Sequence, residues 1–506
     1  MTIRLLTERY AEQIAGVVSC FDRIIVQGTL PIFCCADGMT RYLAARAIRI
    51  FDFTQFVKPL TEAIKANAER PAEENRLTVD CVRKKNFRQE DRIQEVLPGR
   101  GTHPGLVWIF SALEPCTTYQ PWHNKKSGRT YLRPHDGKCL PYYFYFIDEE
   151  LGLCYVRVPT WCPFRLQFYC NGHNRLAAPL DRHGISYTLL DNAFTAIGDF
   201  ARAQQLADGW DARQLHRKLD GFARRYCPIL EQIEETYPWS LGEAAYATDI
   251  VFHRQADLQA IYSRLIRTAV HTVKPDDMAT FLGKKLDPRY AGEMGNRYNV
   301  RIEGTRVRHS MGMASIKMYD KLGHVLRLET TTKDLTFFKH YRGVEQRDGA
   351  LIYKFARMKK SIYSLAPLAE LLRAANRRYL EFLSALQDPS SGLRKLGKLS
   401  RTVHPEARSY RGFNFFDDRD QLLFETIVRG EFNISGFQNK SLRRRLSACS
   451  SGQISRLLKR LRTHGLIKKA GRCYKYHLTP LGKQVAVLGL KLKEMFLVPE
   501  LALTSS

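Results

Sequence analysis

The clearest pattern of hydrophobic and polar positions lies in the C-terminal part of the chain, where a helical period gives way to strict alternation. Two apolar-periodic segments, residues 417–432 and 439–446, precede a third at 450–465. In this third segment the apolar positions recur at i, i+3, i+4 and i+7, which predicts an amphipathic helix with one buried side. These positions are Ile454, Leu457, Leu458 and Leu461.

Both ends of this predicted helix carry recognisable capping signals. Ser450 or Ser451 is suited to cap its N-terminus, and Gly465 is suited to end it in the left-handed conformation. The segment that follows alternates, turns at Ala470-Gly471 and alternates again, which predicts a two-stranded wing. The order of these elements predicts a winged helix-turn-helix domain over residues 413–495.

The outward side of the third helix is rich in side chains that contact nucleic acids. Arginine and glutamine can reach base edges in a major groove, whereas lysine and arginine neutralise phosphates. The candidate nucleic-acid-binding residues are Arg443, Arg444, Arg445, Gln453, Ser455, Arg456, Lys459, Arg460, Arg462, Lys468, Lys469, Arg472 and Lys475. The alternative is a basic helical hairpin that packs against the rest of the protein, since winged helices also serve as protein contacts.

The first 390 residues mix strand and helix patterns. Aromatic and β-branched runs at 21–30, 105–114 and 141–159 predict strands, and long periodic segments between them predict helices. The predicted fold class is α+β, with a largely antiparallel sheet core and long helices. The predicted divisions are an N-terminal α/β region of unknown role (1–140), an α+β core that is the candidate nuclease (141–387), a basic linker (388–412) and the winged-helix domain.

Charge supports a nucleic-acid partner. The chain carries a net charge of +28, and residues 391–506 hold 23 Lys and Arg against 8 Asp and Glu, a net +15. Such a surface binds phosphates in a salt-dependent way. DNA is the expected partner and RNA the alternative, because abundant Tyr and Phe also suit stacking on RNA. No apolar run predicts a membrane span and no signal sequence is visible, so we expect a cytoplasmic protein without a membrane partner. The oligomeric state stays open, a dimer included.

The twelve cysteines show no CxxC spacing, which favours buried thiols over disulfides or zinc knuckles. One looser set has ligand types that could close a structural zinc site around a basic loop. It comprises Cys116, His123, His135 and Cys139. The irregular spacing of these residues makes the zinc site the less favoured interpretation.

Three short segments of the α+β core carry candidate chemistry. Asp249 and Glu329 are carboxylates within apolar strands, where an unpaired charge is costly. Alternation in residues 315–321 places Tyr319 on one strand face with Lys317 and Lys321. A tyrosine hydroxyl near lysines and a carboxylate-bound metal has the ingredients for attack on a phosphodiester. The structural alternative is that Tyr319 packs in the sheet and that the acids pair with Arg327 or Arg301.

The order of these segments resembles the replication initiators of rolling-circle plasmids and filamentous phages, the transesterase group. The closest match is RHSMGMASIKMYDKLGHVLRLETTTKD (308–334), and looser matches are LQFYCNGHNRL and ATDIVF. The resemblance implies that Tyr319 is the nucleophile that forms a 5′-phosphotyrosine, and that Asp249 and Glu329 hold Mg²⁺ or Mn²⁺. It further implies that Lys321 lies beside the scissile phosphate and that Arg327 supports the site. Where the family commonly has two acids in its first acidic motif, this chain has Asp249 alone.

The sequence therefore predicts a nucleic-acid-binding protein of a mobile element, plasmid or phage that nicks one DNA strand at replication initiation. Two alternatives stay open. One is a non-enzymatic winged-helix regulator or RNA-binding protein. The other is a transposon-type metal-dependent nuclease with a different centre, drawing on Asp22, Asp148, Glu149 or His173. Convergence of Tyr319 and the two acids on one metal would favour the nicking enzyme, whereas pairing of the acids with arginines would favour the regulator.

Overall fold

A computed structural model describes residues 4–83, 87–233, 235–286, 292–301, 304–387, 389–405, 408–471, 473–494, 498 and 501. The chain divides into two compact units, a first unit of residues 1–387 and a second unit of residues 388–506. The overall class is mixed α and β. Among the described residues, no helix has the length and apolarity needed to cross a membrane.

An eleven-stranded sheet forms the centre of the first unit. Its strands are β1 (Ile14–Gly28), β2 (Val79–Val82), β3 (Gly105–Ala112), β6 (Tyr142–Asp148), β7 (Gly152–Val158), β8 (Leu166–Cys170), β11 (Trp239–Phe252), β12 (Met294–Asn299), β13 (Arg306–Met311), β14 (Ala314–Lys321) and β15 (Val325–Thr332). The spatial order is β12-β13-β14-β15-β11-β1-β8-β7-β6-β3-β2. Every neighbouring pair is antiparallel except β2 and β3. The predicted largely antiparallel sheet is thus confirmed.

Three two-stranded ribbons accompany this sheet in the first unit. They are β4 (Glu114–Asn124) with β5 (Arg129–Cys139), β9 (Tyr187–Leu190) with β10 (Ala193–Ile197), and β16 (Lys339–Glu345) with β17 (Leu351–Arg357). The helices are α1 (Leu6–Arg9), α2 (Ala36–Ala45), α3 (Phe53–Glu74), α4 (Gln89–Arg100), α5 (Gly172–Arg182), α6 (Phe200–Asp208), α7 (Ala212–Tyr226), α8 (Ile229–Ile233), α9 (Gln255–Thr272), α10 (Pro275–Phe281) and α11 (Leu365–Gln387).

The two faces of the sheet differ in chemistry because β-strand side chains alternate between them. One face buries two large apolar clusters, to which Phe21, Ile24 and Phe144 contribute at one end and Ile250 and Met318 at the other. The opposite face carries two smaller apolar clusters, one against α5 and α6 and one against α4. The candidate site lies on this second face. The N-terminal 140 residues are integral to the sheet, since β1 pairs with both β8 and β11.

The second unit is built from helices and one small ribbon around its own apolar core. Its elements are α12 (Pro389–Ser400), α13 (Asp418–Ile427), α14 (Gly430–Ser435), α15 (Asn439–Arg445), α16 (Ser451–Thr463), β18 (Ile467–Lys469), β19 (Tyr476–Leu478) and α17 (Pro480–Leu492). The segment 388–412, predicted as a linker, instead contains α12. Leu399 of α12 is buried in the core of the second unit.

Candidate functional site

The register of three neighbouring strands, β11, β15 and β14, brings the predicted site residues onto one face of the sheet. Asp249 of β11 lies opposite Arg327 of β15, which in turn lies opposite Tyr319 of β14. Lys317 of β14 lies opposite Glu329 of β15. Directly opposed residues of an antiparallel pair share a face, so all five side chains point to the same side. Within this face they separate into two bonded groups.

The first group, here called the arginine cluster, consists of Arg327, Asp249, Asp22 and His173. Arg327 is fully buried, and its Nε and Nη2 atoms each donate to one oxygen of Asp249 at 2.7 Å. Its Nη1 donates to Asp22 Oδ1 at 2.9 Å, and Nη2 also donates to the carbonyl oxygen of Asn192 at 2.6 Å. A guanidinium group is suited to this arrangement because its planar fork bonds both oxygens of a carboxylate at once.

Helix α5 brings His173 to the arginine cluster. Asn171 caps the helix, with its Oδ1 accepting from the backbone amide of His173 at 2.8 Å. The Nε2 atom of His173 then lies 3.1 Å from Asp249 Oδ2, and Nδ1 lies 3.5 Å from Asp22 Oδ1. Gly172 permits this approach, since a Cβ at that position would meet the backbone oxygen of Phe21 at 2.2 Å. The result is a buried set of two carboxylates held between an arginine and a histidine.

Charge pairing sets the protonation of the arginine cluster. Burial raises the pKa of Asp249, but Arg327 and His173 lower it by more, so the pKa ends well below its ordinary value. Burial lowers the pKa of His173, whereas Cys20 and Asp249 raise it, to about 10. The pKa of Arg327 is raised by Asp249 and Asp22 despite its burial. Arg327, His173 and Asp249 are therefore charged, and their opposite charges compensate one another inside the protein.

The second group, here called the tyrosine site, consists of Tyr319, Glu329 and Lys317. The Tyr319 hydroxyl donates to Glu329 Oε2 at 2.8 Å, and Lys317 Nζ donates to Oε1 at 2.7 Å. Thr331 Oγ1 also donates to Oε1, at 3.0 Å. A hydroxyl bonded to a carboxylate that is itself held by a third group is the arrangement of a nucleophile with its base.

The surroundings of the tyrosine site are cationic. The guanidinium carbon of Arg301 lies 5.8 Å from the centre of the Tyr319 ring. Burial raises the pKa of Tyr319 well above its ordinary value and Glu329 raises it further, so the hydroxyl keeps its proton at neutral pH. Burial also raises the pKa of Glu329, but Lys317 and the hydrogen bond from Tyr319 bring it down to about 2. The site thus pairs a neutral phenol with a carboxylate anion.

The oxygen atoms of both predicted metal ligands, Asp249 and Glu329, already accept hydrogen bonds. Both oxygens of Asp249 accept from Arg327, and both oxygens of Glu329 accept from neighbouring side chains. A Mg²⁺ or Mn²⁺ ion needs carboxylate oxygens that face it. In the described part of the chain, no group of three or more His, Cys, Asp or Glu side chains is arranged so that it could hold a metal ion. The two acids in this arrangement do not fit a shared metal.

The other predicted catalytic residues take part in structural pairs. Lys321 forms an ion pair with Asp191, in the turn between β9 and β10. Arg327 is fully buried within the arginine cluster, so it cannot touch a substrate in this arrangement. Of the residues named for an alternative nuclease centre, Asp22 and His173 do lie together, whereas Asp148 forms an ion pair with Lys218.

The four candidate zinc ligands do not converge. They lie along the β4-β5 ribbon, where His123 is opposite Thr130 and His135 is opposite Thr118. Thr118 and His123 are five residues apart on one strand, which at the rise of a β-strand is about 16 Å. The ribbon thus holds the two histidines too far apart to bind one ion.

Helix α16 of the second unit has the predicted capping and burial. Ser450 caps it, with its Oγ accepting from the amide of Gln453 at 3.3 Å, and Gly465 follows it with φ of +75°. Ile454, Leu458 and Leu461 are buried. Arg456, Lys459 and Arg462 are exposed, as are Arg443, Arg444 and Arg445 of α15 and Lys468 of β18. Lys469 and Lys475 are partly exposed, and Arg472 lies outside the described residues.

One predicted nucleic-acid contact on α16 is wrong. Arg460 is buried, because its Nη1 and Nη2 atoms donate to the two oxygens of Asp420 at 2.6 and 2.8 Å. Its Nε also donates to the carbonyl oxygen of Arg411 at 3.0 Å. Ser455 accepts from Asn439 of α15 at 2.9 Å, so it fastens two helices together. The exposed basic side of α16 is therefore narrower than the sequence predicts.

Two partners that shape the site do not follow from the sequence pattern. The pattern places Lys317 beside Tyr319 but does not connect Lys317 to Glu329, although opposite charges on two consecutive strands were a usable signal. It also missed Asn192, whose carbonyl oxygen accepts from Arg327. Only the position of Asn192 in the polar turn between β9 and β10 hinted at a special role.

No protein-family model, curated protein or solved structure matches this chain. The function of this protein is therefore inferred from its geometry and charge.

Proposed function

We propose that this protein binds DNA through its second unit and that this unit is a winged helix. The observation that carries the proposal is the exposed basic side of α16, with Arg456, Lys459 and Arg462, on a helix whose other side is buried. Helix α15 precedes it at a short turn, and the β18-β19 ribbon follows it. A helix of this kind suits a major groove, and a short basic ribbon beside it suits the adjoining phosphates.

Titration of a labelled DNA duplex with the full-length protein at several salt concentrations tests this proposal. We expect Arg456→Ala or Lys459→Ala to weaken binding and to reduce the salt dependence by about one counterion per lost phosphate contact. The matched control is Arg419→Ala, an exposed arginine of α13. If the α16 variants lose no more affinity than this control, α16 is not the recognition helix.

We also propose a second function, nicking of one DNA strand by the first unit, in line with the resemblance to rolling-circle replication initiators. The supporting observation is the hydrogen bond from Tyr319 to Glu329, with Lys317 on the other carboxylate oxygen. The Tyr319 oxygen would form a bond to phosphorus while its proton passes to Glu329. The bond from phosphorus to the 3′ oxygen would break, and that oxygen would leave with a proton from solvent. The product is a 5′-phosphotyrosine.

The energetics of this step place a condition on the DNA substrate. Glu329 is a weak base as long as Lys317 holds its pKa near 2, and Tyr319 holds its proton tightly. A scissile phosphate that draws Lys317 toward itself would raise the basicity of Glu329 and would stabilise the charge on phosphorus. Lys317 is thus expected to matter more than Lys321, which is paired with Asp191.

The test of nicking is a covalent protein–DNA band on single-stranded and supercoiled DNA, with Mg²⁺, with Mn²⁺ and with a chelator. Tyr319→Phe should abolish the band, whereas the control Tyr298→Phe, which changes an exposed tyrosine of β12, should retain it. A band that survives chelation would agree with the hydrogen bonds that already engage the carboxylate oxygens of Asp249 and Glu329. Metal-dependent cutting that survives Tyr319→Phe would point instead to a transposon-type nuclease centred on Asp22 and His173.

The competing function is a non-enzymatic regulator. The pairing of Asp249 with Arg327, and of Glu329 with Lys317, favours it, because acids that serve structure are expected to be neutralised in this way. Salt-sensitive DNA binding without any covalent band would support this alternative. Tighter binding to structured RNA than to duplex DNA would support an RNA-binding protein.

A further inference from the structure

The β16-β17 ribbon of the first unit exposes three aromatic rings on one face. Tyr341 is 61% exposed, Tyr353 is 60% exposed and Phe355 is 74% exposed. Tyr341 lies directly opposite Phe355, and Tyr353 is two residues from Phe355 on the same strand, so alternation puts all three on one side. These rings form the aromatic platform of the ribbon. Large aromatic side chains gathered at a surface in this way mark a binding site more often than scattered exposed residues do.

The rings of the aromatic platform contact one another without covering each other. The centres of the Tyr341 and Phe355 rings are 5.7 Å apart at an interplanar angle of 61°, and those of Tyr341 and Tyr353 are 6.0 Å apart at 34°. Neither pair is stacked face to face, so ring surface stays accessible to a flat partner. Gly343 lies opposite Tyr353, and the side chain of Leu351 packs over this glycine, since a Cβ at Gly343 would meet Leu351 atoms at 3.1 to 3.3 Å.

Basic residues surround the aromatic platform. Lys339 and Arg357 are opposite one another at its end, and both are exposed. Arg342 and Lys354 are opposite one another on the reverse face of the ribbon. The only acids of residues 339–357 are Glu345 and Asp348. They lie at or beside the turn, at the opposite end of the ribbon from Lys339 and Arg357. The partner that complements this surface must therefore offer flat, apolar rings together with negative charge.

We propose that the aromatic platform binds single-stranded DNA, whose bases stack on the rings while its phosphates meet Lys339 and Arg357. Duplex DNA does not fit this role, because its bases already stack on one another and hide their faces. Stacking on exposed aromatic rings with neighbouring cations is how proteins hold single strands without reading sequence. The choice of DNA over RNA rests on the proposed function. In the chain, the ribbon follows β15, the strand that carries Glu329.

The experiment measures binding of the full-length protein to a labelled oligothymidylate of roughly 15 to 20 nucleotides, a length that exceeds typical single-strand site sizes. Phe355→Ala and Tyr353→Ala should each weaken this binding by about fivefold or more, as expected for the loss of one stacked base. The control is Phe51→Ala, which removes an equally exposed ring, 61% accessible, elsewhere in the first unit. All three variants should retain the duplex affinity of the wild type.

The outcomes separate this inference from the proposed function. An unchanged affinity of Phe355→Ala and Tyr353→Ala for oligothymidylate, or an equal loss in Phe51→Ala, would overturn the inference. A loss confined to oligouridylate would also overturn it, in favour of RNA. A failed nicking assay with Tyr319 would leave these binding results intact, and failed duplex binding by the α16 variants would concern the second unit alone. The platform is supported only if the ring variants lose single-strand affinity selectively.

Discussion

Replacement of Arg327 by methionine is expected to destabilise the first unit more than replacement of any exposed charged residue does. Among the described residues, Arg327 is the one arginine that bonds the two buried carboxylates of the arginine cluster, Asp249 and Asp22. Removing one partner of a buried ion pair costs about 3–5 kcal/mol, and His173 alone would remain here to compensate two buried carboxylates. Escape by protonation costs nearly as much, because protonating an aspartate at pH 7 requires about 4 kcal/mol from its ordinary pKa.

Urea unfolding followed by tryptophan fluorescence measures this cost in the first unit alone, since all five tryptophans precede residue 388. With a slope of about 3 kcal/mol per molar urea, a loss of 3–5 kcal/mol moves the midpoint by about 1 M or more. The control is Arg377→Met, because Arg377 is 73% exposed in its pair with Glu381 and should contribute less than about 1 kcal/mol. Equal midpoints for the two variants would refute the argument that the cluster is buried and ionised.

A double variant examines the mechanism of this loss. Adding Asp249→Leu to Arg327→Met removes one of the stranded carboxylates, so we expect the double variant to be more stable than Arg327→Met alone. Replacement of both partners of a buried pair by apolar groups is often close to neutral, whereas removal of one is not. If the loss of stability in the double variant equals the sum of the losses in Arg327→Met and in Asp249→Leu, the two residues do not interact.

Three further predictions concern other parts of the chain. Burial lowers the pKa of His309 to about 4. Its contribution to stability, about 3 kcal/mol, is therefore complete above pH 6.5 and is lost as the pH falls to 4. In His309→Gln, the urea midpoint should change less with pH across this window than it does in the wild type. Arg460→Met should destabilise the second unit by about 3 kcal/mol, seen as faster hydrogen exchange in α13 and α16, whereas Arg462→Met on the exposed side should not. Gly172→Ala should cost about 1–3 kcal/mol by overpacking against β1, in contrast to Gly221→Ala, whose added Cβ meets no atom within 4 Å.

Local sequence rules were sufficient for features whose causes lie within a few residues. The alternation in residues 315–321 placed Lys317 and Tyr319 on one strand face, as the structure has them. The cap at Ser450 and the stop at Gly465 follow from the backbone chemistry of helix ends. The same rules failed for Arg460, since helical periodicity cannot tell that Asp420 of a different helix will draw this arginine inward.

The sequence by itself determined the periodicity of strands and helices, the faces of individual strands and the basic character of the C-terminal part. Only the tertiary structure decided which charges meet. Arg327 and Asp22 are 305 positions apart in the chain, yet they bond at 2.9 Å because β1, β11 and β15 are neighbours in the sheet. Strand order and register depend on the packing of the whole sheet, so they cannot be read from any local pattern. For this physical reason the sequence identified Asp249 and Glu329 as important acids, while the fold determined that each is neutralised by a cation.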